Sequence, residues 1–449
     1  MSRRRSAPLQ EFDAEIVGLT HDGRGVARTD GKAVFVRGAL PGERVRARQI
    51  ARHRHFDEAN TVAVLQASPD RVEPRCAHFG VCAGCVLQHM DAAKQIEAKQ
   101  NVLLENLDRI GHVKPQQLLT PLADAAWGYR RKGRLSVRHV EKKGRTLVGF
   151  REIDPRFVAD IKHCHTAIPA IGERIGEIAE LIDTLQAKRD IPQIEFIAGD
   201  NGEGDDIVAL VVRHLQPLGQ ADRDALIAFA RRTGLAMLLQ PGGVESVQSL
   251  WPESIALSFS LPQHDVTLAF KPLDFIQVNA GMNVRMIERT LELLQPEPAH
   301  RVLDLFCGLG NFTLPIARRV AQIAGVEGDV GLVARARQNA RDNNIDNAEF
   351  FAADLAGDLK GEPWLTQRFD ALLLDPPRSG AIEVLRQLPK LAPMRIVYVS
   401  CHPGSLARDA EYLVNERGYT LKAAGVMDMF PHTAHVESIA LFERPSTGS

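Results

Sequence analysis

Long apolar runs are missing from this chain of 449 residues. No stretch approaches the roughly eighteen apolar residues that a membrane-spanning helix needs. The basic start, MSRRRSAPLQ, is followed by no apolar segment, so it lacks the form of a secretory signal peptide. We therefore expect a cytoplasmic protein that does not enter a membrane. The chain is 45% hydrophobic and 25% charged, which is typical of a globular protein, and its length predicts about two to four domains.

Neither sign of charge dominates, because the net charge is only −1. The distribution is uneven, since residues 1–68 hold twelve Lys or Arg against eight Asp or Glu, a mild bias towards polyanions. A second basic run, 129–151, holds nine Lys or Arg against one Glu. Its density, its alternation in 134–138 and its flanking aromatic residues favour RNA contact along one strand face. The alternative is an ordinary solvated surface.

Cysteine is scarce, with six residues, and three of them lie within ten positions. A cytosolic enzyme would not place disulfides in this way, and thiolates at this density are typical of metal or cluster ligands. Four thiolates complete such a site. The four candidates are Cys76, Cys82, Cys85 and Cys164. The spacing fits either an iron–sulfur cluster or zinc. In a zinc site, His78 or His89 could replace one of the cysteines as a ligand. The remaining alternative is that these are small buried thiols that bind no metal.

Residues 11–68 alternate apolar positions between glycine turns, which predicts a small β-barrel of the kind that binds single-stranded RNA. The pattern GLTHDGRGVAR…GALPGERV is similar to the TRAM domain of RNA-modifying enzymes. A barrel that merely contacts its neighbour is the alternative. Residues 91–110 have helical periodicity, and five strand-like runs between about 190 and 270 predict a mixed, largely antiparallel α/β domain that holds substrate.

The last third of the chain begins with a strand and a glycine turn, in RVLDLFCGLGNF at 301–312, and a helix is expected to follow over about 312–319. This is the nucleotide-binding unit of an open α/β sheet. Glu327 closes the next apolar run, where a carboxylate can accept both hydroxyls of a ribose. The turn has one Gly-x-Gly and no third glycine, which favours a nucleoside without a diphosphate. Asp354, just past the strand at 348–352, is placed to meet an adenine amino group or simply to form a turn.

DLFCGLG together with Glu327 resembles the first two motifs of S-adenosylmethionine-dependent methyltransferases. From residue 300 on, strands alternate with helices, which predicts a mainly parallel, doubly wound sheet. Asp375 and Cys401 each follow a buried strand, so both are expected at its carboxyl edge. A thiolate there could act as a nucleophile. Glu437, in the last strand, is the best candidate for a catalytic base.

The order of the TRAM-like start, four cysteines, FIQVN, DLFCGLGNF, DPPRSG, SCHP and VESIALFER is similar to that of the RNA (uracil-5)-methyltransferases. The first two features look most like the 23S ribosomal RNA enzymes of that family. The resemblance implies a [4Fe–4S] cluster on the four cysteines, Cys401 as nucleophile, Glu437 as base and Asp375 in contact with the uracil. It also implies that S-adenosylmethionine is lined by Gln277, Phe306, Asn311, Glu327, Asp354 and Asp375.

The predicted fold is multidomain α/β, with an OB-like TRAM barrel at 1–70, a central RNA-binding domain carrying the cluster at 71–270 and a Rossmann-like methyltransferase domain at 271–449. The predicted substrate is 23S ribosomal RNA, bound by a monomer without an obligate protein partner. Two alternatives stay open: the same chemistry on transfer RNA or another ribosomal uridine, and a non-catalytic RNA-binding factor. DPPR lacks the Pro-Cys of cytosine-5 enzymes, and Arg378 replaces the aromatic residue of adenine-N6 motifs.

Overall fold

The computed structural model describes residues 10–29, 31–200, 206–388 and 393–444. The basic start that we expect not to be a signal peptide therefore lies mostly outside the described residues. Within them, the strands form one six-stranded and two eight-stranded sheets. No helix in these ranges is both long and apolar enough to cross a membrane.

The first sheet is built from residues 11–66 in the order β1-β5-β6-β4-β3-β2. Its strands are β1 Glu11–Glu15, β2 Gly18–Leu19, β3 Gly25–Thr29, β4 Lys32–Arg37, β5 Arg44–Arg52 and β6 Phe56–Gln66. Alternate residues of β4 and β5, such as Val34, Val36, Val45 and Ala47, are buried in a small core of their own. The predicted β-rich module is confirmed, because buried residues from β1, β3, β4, β5 and β6 supply this core.

One long helix separates the first two sheets in sequence. It is α1, Ala92–Arg109, and the Asp91 side chain caps it by accepting hydrogen bonds from the backbone N–H groups of Ala93 and Lys94. Leu103 and Leu107 of α1 pack into the core beneath the third sheet. The short strand β7, Gln117–Leu118, also pairs with that sheet. This segment lies within the predicted 71–270 domain, yet it packs on the catalytic sheet.

The second sheet and its helices occupy most of the central part of the chain. Its strands are β8 Lys132–Val140, β9 Arg145–Gly149, β10 Gln193–Asp200, β11 Asp206–Arg213, β12 Ala236–Gln240, β13 Gln248–Trp251, β14 Leu257–Leu261 and β15 Val266–Phe270. The helices are α2 Pro169–Gly172, α3 Ile175–Thr184 and α4 Gln220–Thr233. Only the β11–β12 pair is parallel, which confirms the prediction of a largely antiparallel sheet.

The third sheet positions the candidate active site. Its strands are β16 Arg301–Leu305, β17 Gln322–Glu327, β18 Ala348–Ala352, β19 Ala371–Leu374, β20 Arg395–Ser400, β21 Thr420–Met427 and β22 Glu437–Glu443. The helices are α5 Ala280–Leu294, α6 Thr313–Ala317, α7 Val330–Asp342, α8 Ile382–Gln387 and α9 Pro403–Glu411. The order is β18-β17-β16-β19-β20-β22-β21-β7, and the first five strands are parallel. The predicted doubly wound sheet is confirmed, with β22 added antiparallel to β20.

A continuous apolar core joins the second and third sheets. Phe259 and Leu268 of the second sheet lie in the same buried cluster as Met286 of α5 and Val397 of β20. The predicted boundary at residues 270 and 271 therefore falls inside a shared core, and the exact division into domains stays a prediction.

Candidate active site

Three predicted catalytic residues meet at the carboxyl edge of the third sheet. Asp375 directly follows β19 and Cys401 directly follows β20. Glu437 begins β22, and because β22 runs antiparallel to β20, its first residue lies where β20 ends, beside the Ser400–Ser438 pair. The charges of Glu437 and Asp375 both act on the Cys401 thiol. The structure thus brings together all three residues that the sequence analysis placed at this edge.

The pKa values of these groups are strongly displaced, chiefly by burial. Burial raises the pKa of Glu437 to about 8, the charge of Asp375 adds to this, and Arg378 and Lys99 oppose it. Burial alone raises the pKa of Asp375 to about 7. Burial, with the charges of Glu437 and Asp375, raises the pKa of Cys401 to about 11. Glu437 is therefore a strong base for a carboxylate, and the thiol of the free protein carries its proton at neutral pH.

A cavity of about 1130 Å³ opens beside the nucleophile. Cys401, Arg378 and His435 line it, together with residues of the first sheet, of α1 and of the predicted cysteine cluster. Asp375 and Glu437 are not among the residues that line it. Cys401, Asp375 and Glu437 are all only partly buried. A ligand in the cavity can therefore reach the Cys401 thiol, and neither carboxyl is sealed from solvent.

The candidate cofactor edge is formed by the turn after β16 and the ends of β17 and β18. Gly308 and Gly310 have positive φ values of 56° and 97°, which a side chain would disfavour. The Gly308 N–H donates to Glu327 Oε2 at 3.1 Å, and the Asp329 N–H donates to Glu327 Oε1 at 3.0 Å. The Ala353 N–H donates to the Glu327 carbonyl at 3.1 Å, which brings the following Asp354 to the same edge. Glu327 and Asp354 are thus placed together as predicted.

The other predicted cofactor residues surround this turn. Phe306 adopts a positive φ of 68° at the end of β16, and its N–H donates to the Val326 carbonyl at 2.8 Å. Asn311 exchanges side-chain hydrogen bonds of 2.8 and 2.9 Å with Asn283 of α5. Gln277 lies in the segment that leads into α5, where its carbonyl accepts from Arg131 Nε at 2.9 Å. The structure ties Asn311 to α5, whereas cofactor contact by the Gln277 side chain stays a prediction.

One buried acid links the cofactor edge to the catalytic edge. Asp304 of β16 is fully buried, and Thr313 Oγ1 donates to its Oδ2 at 2.5 Å. Burial raises the pKa of Asp304 to about 7, and the charges of Asp375 and Glu327 add to this. Because the charges of Glu327 at one edge and Asp375 at the other both act on Asp304, the two edges are contiguous. The sequence signal was available, since an aspartate inside an apolar strand is costly unless its surroundings use it.

The four predicted ligand cysteines line the same cavity as Cys401. The six cysteines of the chain are free thiols, and burial raises the pKa of Cys82 to about 11 and that of Cys85 to about 12. The charges of Cys76 and Cys164 act on both thiols, so the four converge. In the described ranges, no group of three or more His, Cys, Asp or Glu side chains is spaced as ligands of one metal ion.

The basic run at 129–151 divides between residues held by the protein and residues on its surface. Arg131 is buried and Lys132 is half-buried, and both donate to backbone carbonyls of the 272–277 segment. Arg134 pairs with Glu195 at 3.0 Å, and Arg145 pairs with Asp160. Among the nine basic residues of this run, Arg130 lines the cavity. The alternation leaves Arg134 and Arg138 of β8 exposed, as predicted for one strand face, and their contact with RNA stays a prediction.

A buried ion pair behind Glu437 was missed by the sequence analysis. Lys99 Nζ of α1 lies 2.6 Å from Asp428 Oδ1, and the Lys99 side chain is only 3% exposed. Gln95, Lys99, Leu103 and Leu107, four residues apart, form the buried stripe of α1. A lysine on the apolar stripe of an amphipathic helix was the available signal, because such a position normally faces the core.

Comparison with known proteins agrees with this geometry. The profile of the tRNA (Uracil-5-)-methyltransferase family matches residues 178–445, and that of the TRAM domain matches residues 5–51. A protein of Xanthomonas axonopodis pv. citri (strain 306), named 23S rRNA (uracil(1939)-C(5))-methyltransferase RlmD, is 66% identical over 96% of this chain and 97% of its own. A protein of the same name from Xylella fastidiosa (strain 9a5c) is 62% identical over 99% and 100%.

A solved structure shares the fold. The tRNA (uracil-54, C5)-methyltransferase of Pyrococcus abyssi, crystallised with S-adenosyl-L-homocysteine, has a TM-score of 0.73 over 96% of this chain and 100% of that one. At 24% identity this likeness concerns the fold alone. The family profile covers more than half of the chain, and the most similar relatives cover nearly all of it. The chain therefore belongs to the tRNA (uracil-5-)-methyltransferase family and begins with a TRAM domain.

Proposed function

We propose that this protein transfers a methyl group from S-adenosylmethionine to C5 of a uridine in 23S ribosomal RNA. The observation that carries the proposal is Cys401 at the tip of β20, open to the cavity and backed by Asp375 and Glu437. Relatives at 62–66% identity over nearly the whole chain carry the name of an enzyme for uracil 1939, so we infer the equivalent uridine as the target.

The residues of the chain divide the reaction between them. The Cys401 thiol gives its proton to solvent in the cavity, and the thiolate adds to C6 of the uracil, which leaves carbanion character at C5. Bound S-adenosylmethionine would supply the electrophilic methyl group. The Glu437 carboxylate then takes the proton from C5, and the C6–S bond breaks to return the Cys401 thiolate. A pKa of about 8 makes Glu437 basic enough for this step near neutral pH.

Asp375 is proposed to hold the uracil by its carbonyl–imide edge. Its pKa of about 7, raised by burial, lets it carry a proton in part of the population. A neutral carboxyl can donate to a carbonyl oxygen and accept from an imide N–H at the same time.

The cofactor residues fit a nucleoside with a short, charged tail. Glu327 is held by two backbone N–H donors and keeps lone pairs for ribose hydroxyls. The positive φ values at Gly308 and Gly310 leave the turn open for close approach of a ligand. We propose that Gln277, Phe306, Asn311 and Asp354 complete the site around this turn.

We also propose that Cys76, Cys82, Cys85 and Cys164 hold a [4Fe–4S] cluster. The donor set supports this, because four thiols converge on one side of the cavity. His78, which could replace a cysteine as a ligand in a zinc site, accepts a hydrogen bond from the Lys162 N–H through its Nε2 at 3.4 Å. The cluster would tie the 76–91 loop to the 163–166 loop, and the methyl transfer itself needs no electron from it.

Methylation of a 23S ribosomal RNA fragment tests the main proposal. The protein, the fragment and S-adenosylmethionine should yield 5-methyluridine at the uridine equivalent to 1939, detected by nuclease digestion and mass spectrometry. Cys401→Ala should lower turnover by more than about 10³-fold while leaving RNA affinity within about twofold, since the thiol acts only in the chemical step. Retained turnover in Cys401→Ala, or RNA binding by the parent without methylation, would contradict the proposal.

A further inference from the structure

The loop that leads to the proposed base, Glu437, is held by side chains of α1. This 428–436 loop, Asp428 to Val436, joins β21 to β22 and ends directly before Glu437. Lys99 Nζ donates to Asp428 Oδ1 at 2.6 Å and to the Phe430 carbonyl at 3.0 Å. The His432 N–H donates to Gln95 Oε1 at 2.9 Å. Two side chains one turn apart on α1 therefore fix both the start and the middle of the loop.

The position of Asp428 brings this contact close to the base. Met427, the last residue of β21, is paired directly with Glu437 across the sheet. Asp428 follows Met427, so the Lys99–Asp428 ion pair lies one residue beyond the catalytic position. The positive charge of Lys99 acts to lower the pKa of Glu437. The charge of Glu437 in turn opposes the lowering of the Lys99 pKa by burial.

Burial of the Lys99–Asp428 ion pair costs desolvation free energy. Lys99 is 3% exposed and Asp428 is 9% exposed, so both charges have lost most of their water. Buried pairs of this kind are often no more stable than apolar replacements of the same volume. The Lys99–Asp428 pair can therefore be tested for a role beyond stability. The nearest group whose ionised form a fixed cation would stabilise is Glu437.

We propose that Lys99 is a positioning residue for the Glu437 base, holding a fixed positive charge behind it and so favouring its ionised form. The inference rests on the proposed function. The other groups that face Glu437 are Asp375 after β19, Arg378 in the following loop and Cys401 after β20. Asp375 opposes ionisation of Glu437 and Arg378 favours it, as Lys99 does.

The sign of the expected effect follows from the chemistry. Glu437 must be ionised to take the C5 proton, and removing the nearby cation disfavours the ionised form. In Lys99→Met the acid limb of the kcat profile should move up by about one pH unit, and kcat near pH 7 should fall roughly tenfold. KM for RNA should stay within about twofold, because Lys99 does not line the cavity. Lys99→Arg keeps the charge and should restore the parental profile.

The experiment compares pH profiles of 5-methyluridine formation by the full-length variants. Lys94→Met is the matched control, since Lys94 lies on the same helix, its side chain is 44% exposed and it forms an ion pair with Glu97. Lys99→Met/Asp428→Asn serves if the single variant does not fold, because it leaves no unpaired buried carboxylate. It should show an upward shift smaller than that of Lys99→Met, since the Asp428 charge is removed as well. A purely structural role would lower kcat equally at all pH values.

The outcomes separate the two proposals. An upward shift in Lys99→Met or the double variant, with recovery in Lys99→Arg, supports the inference. A profile parallel to that of the parent, in whichever of the two variants folds, overturns the inference and leaves the methyltransferase proposal intact. A parent protein that forms no 5-methyluridine at any pH overturns the proposed function instead.

Discussion

Three carboxyls with raised pKa values lie at or near the carboxyl edge of the third sheet: Asp304, Asp375 and Glu437. Burial raises each pKa to about 7 or 8, so these acids hold protons that the unfolded chain would release. The corresponding contribution to stability is present at low pH and is lost as the pH rises through the folded pKa values. The folded protein is therefore less stable near neutral pH, where these carboxyls can donate or accept protons.

Asp304→Asn should make the folded protein less sensitive to pH. The folded pKa of Asp304 is about 7 and the ordinary value is 3.8, so the wild-type protein should lose stability between about pH 4 and pH 7. An asparagine cannot ionise, yet its Oδ1 can still accept the Thr313 hydroxyl. The midpoint of thermal unfolding, followed across this range, should fall less in the variant. Asp346→Asn, at an exposed position, should behave like the parent; parallel curves for Asp304→Asn and the parent would refute the argument.

Arg130 is the basic residue of the 129–151 run for which we predict a direct role in RNA binding. Its guanidinium stands over the Phe430 ring at 5.6 Å and borders the cavity. Arg130→Gln should weaken RNA binding and reduce the slope of log Kd against log salt concentration by about one, as expected for one lost phosphate contact. Arg138→Gln is the matched control, because Arg138 donates to the Arg156 carbonyl away from the cavity. Equal effects of the two substitutions would argue against this assignment.

At the scale of elements, the parallel strands of the third sheet could be predicted almost to the residue. The apolar run at 302–305 is part of β16, the run at 371–374 is β19, and the run at 396–400 is part of β20. These strands are buried on both faces, so they read as continuous apolar segments between turns. The helix expected over about 312–319 is shorter, Thr313–Ala317.

Pairings between distant strands could not be predicted. The insertion of β22 between β20 and β21 depends on a chain reversal that no local pattern records. Glu195, the partner of Arg134, lies 61 residues further along the chain, so no local pattern could predict this ion pair either. The catalytic edge was nevertheless predictable, because each of its acids and its cysteine stands next to a recognisable strand.

The turn after β16 needs glycine for its backbone, which gives a prediction at this scale. Gly310 has φ of 97°, and a methyl group there would also meet Leu314 Cγ at 3.2 Å. Gly310→Ala should cost about 1–3 kcal/mol of stability and weaken S-adenosylhomocysteine binding, measured by calorimetry. Gly361→Ala imposes a similar φ of 92° in open space away from the site. It should cost stability without changing affinity, and equal affinity losses in both variants would contradict the account.

At the scale of the whole molecule, one cavity is bordered by all three parts of the chain. Leu19 and His21 come from the first sheet, Cys85 from the predicted cluster loop, and Cys401 from the tip of β20. The sequence supported each part separately, through its turns, cysteine spacing and strand ends. Their convergence depends on packing of α1 and the 428–436 loop, which sequence patterns do not reveal.

The cluster proposal predicts the metal content of the intact protein. Protein purified without oxygen should contain about four iron and four sulfide per chain, with broad absorption in the visible region. Cys85→Ser should lose most of this iron, because a serine hydroxyl is a much weaker ligand for the cluster than a thiolate. Cys307→Ala should retain the iron, since Cys307 is buried in the turn after β16. Zinc in place of iron, or iron that survives Cys85→Ser, would contradict the assignment.

The central claim is that the Cys401 sulfur bonds to the uracil and that Glu437 releases it. The most direct measurement is denaturing gel electrophoresis of Glu437→Gln after incubation with S-adenosylmethionine and the 23S RNA fragment. The account predicts an accumulating covalent protein–RNA complex that carries the transferred methyl group and disappears in Cys401→Ala/Glu437→Gln. Normal release of 5-methyluridine by Glu437→Gln, or a complex that persists without the Cys401 thiol, would contradict it.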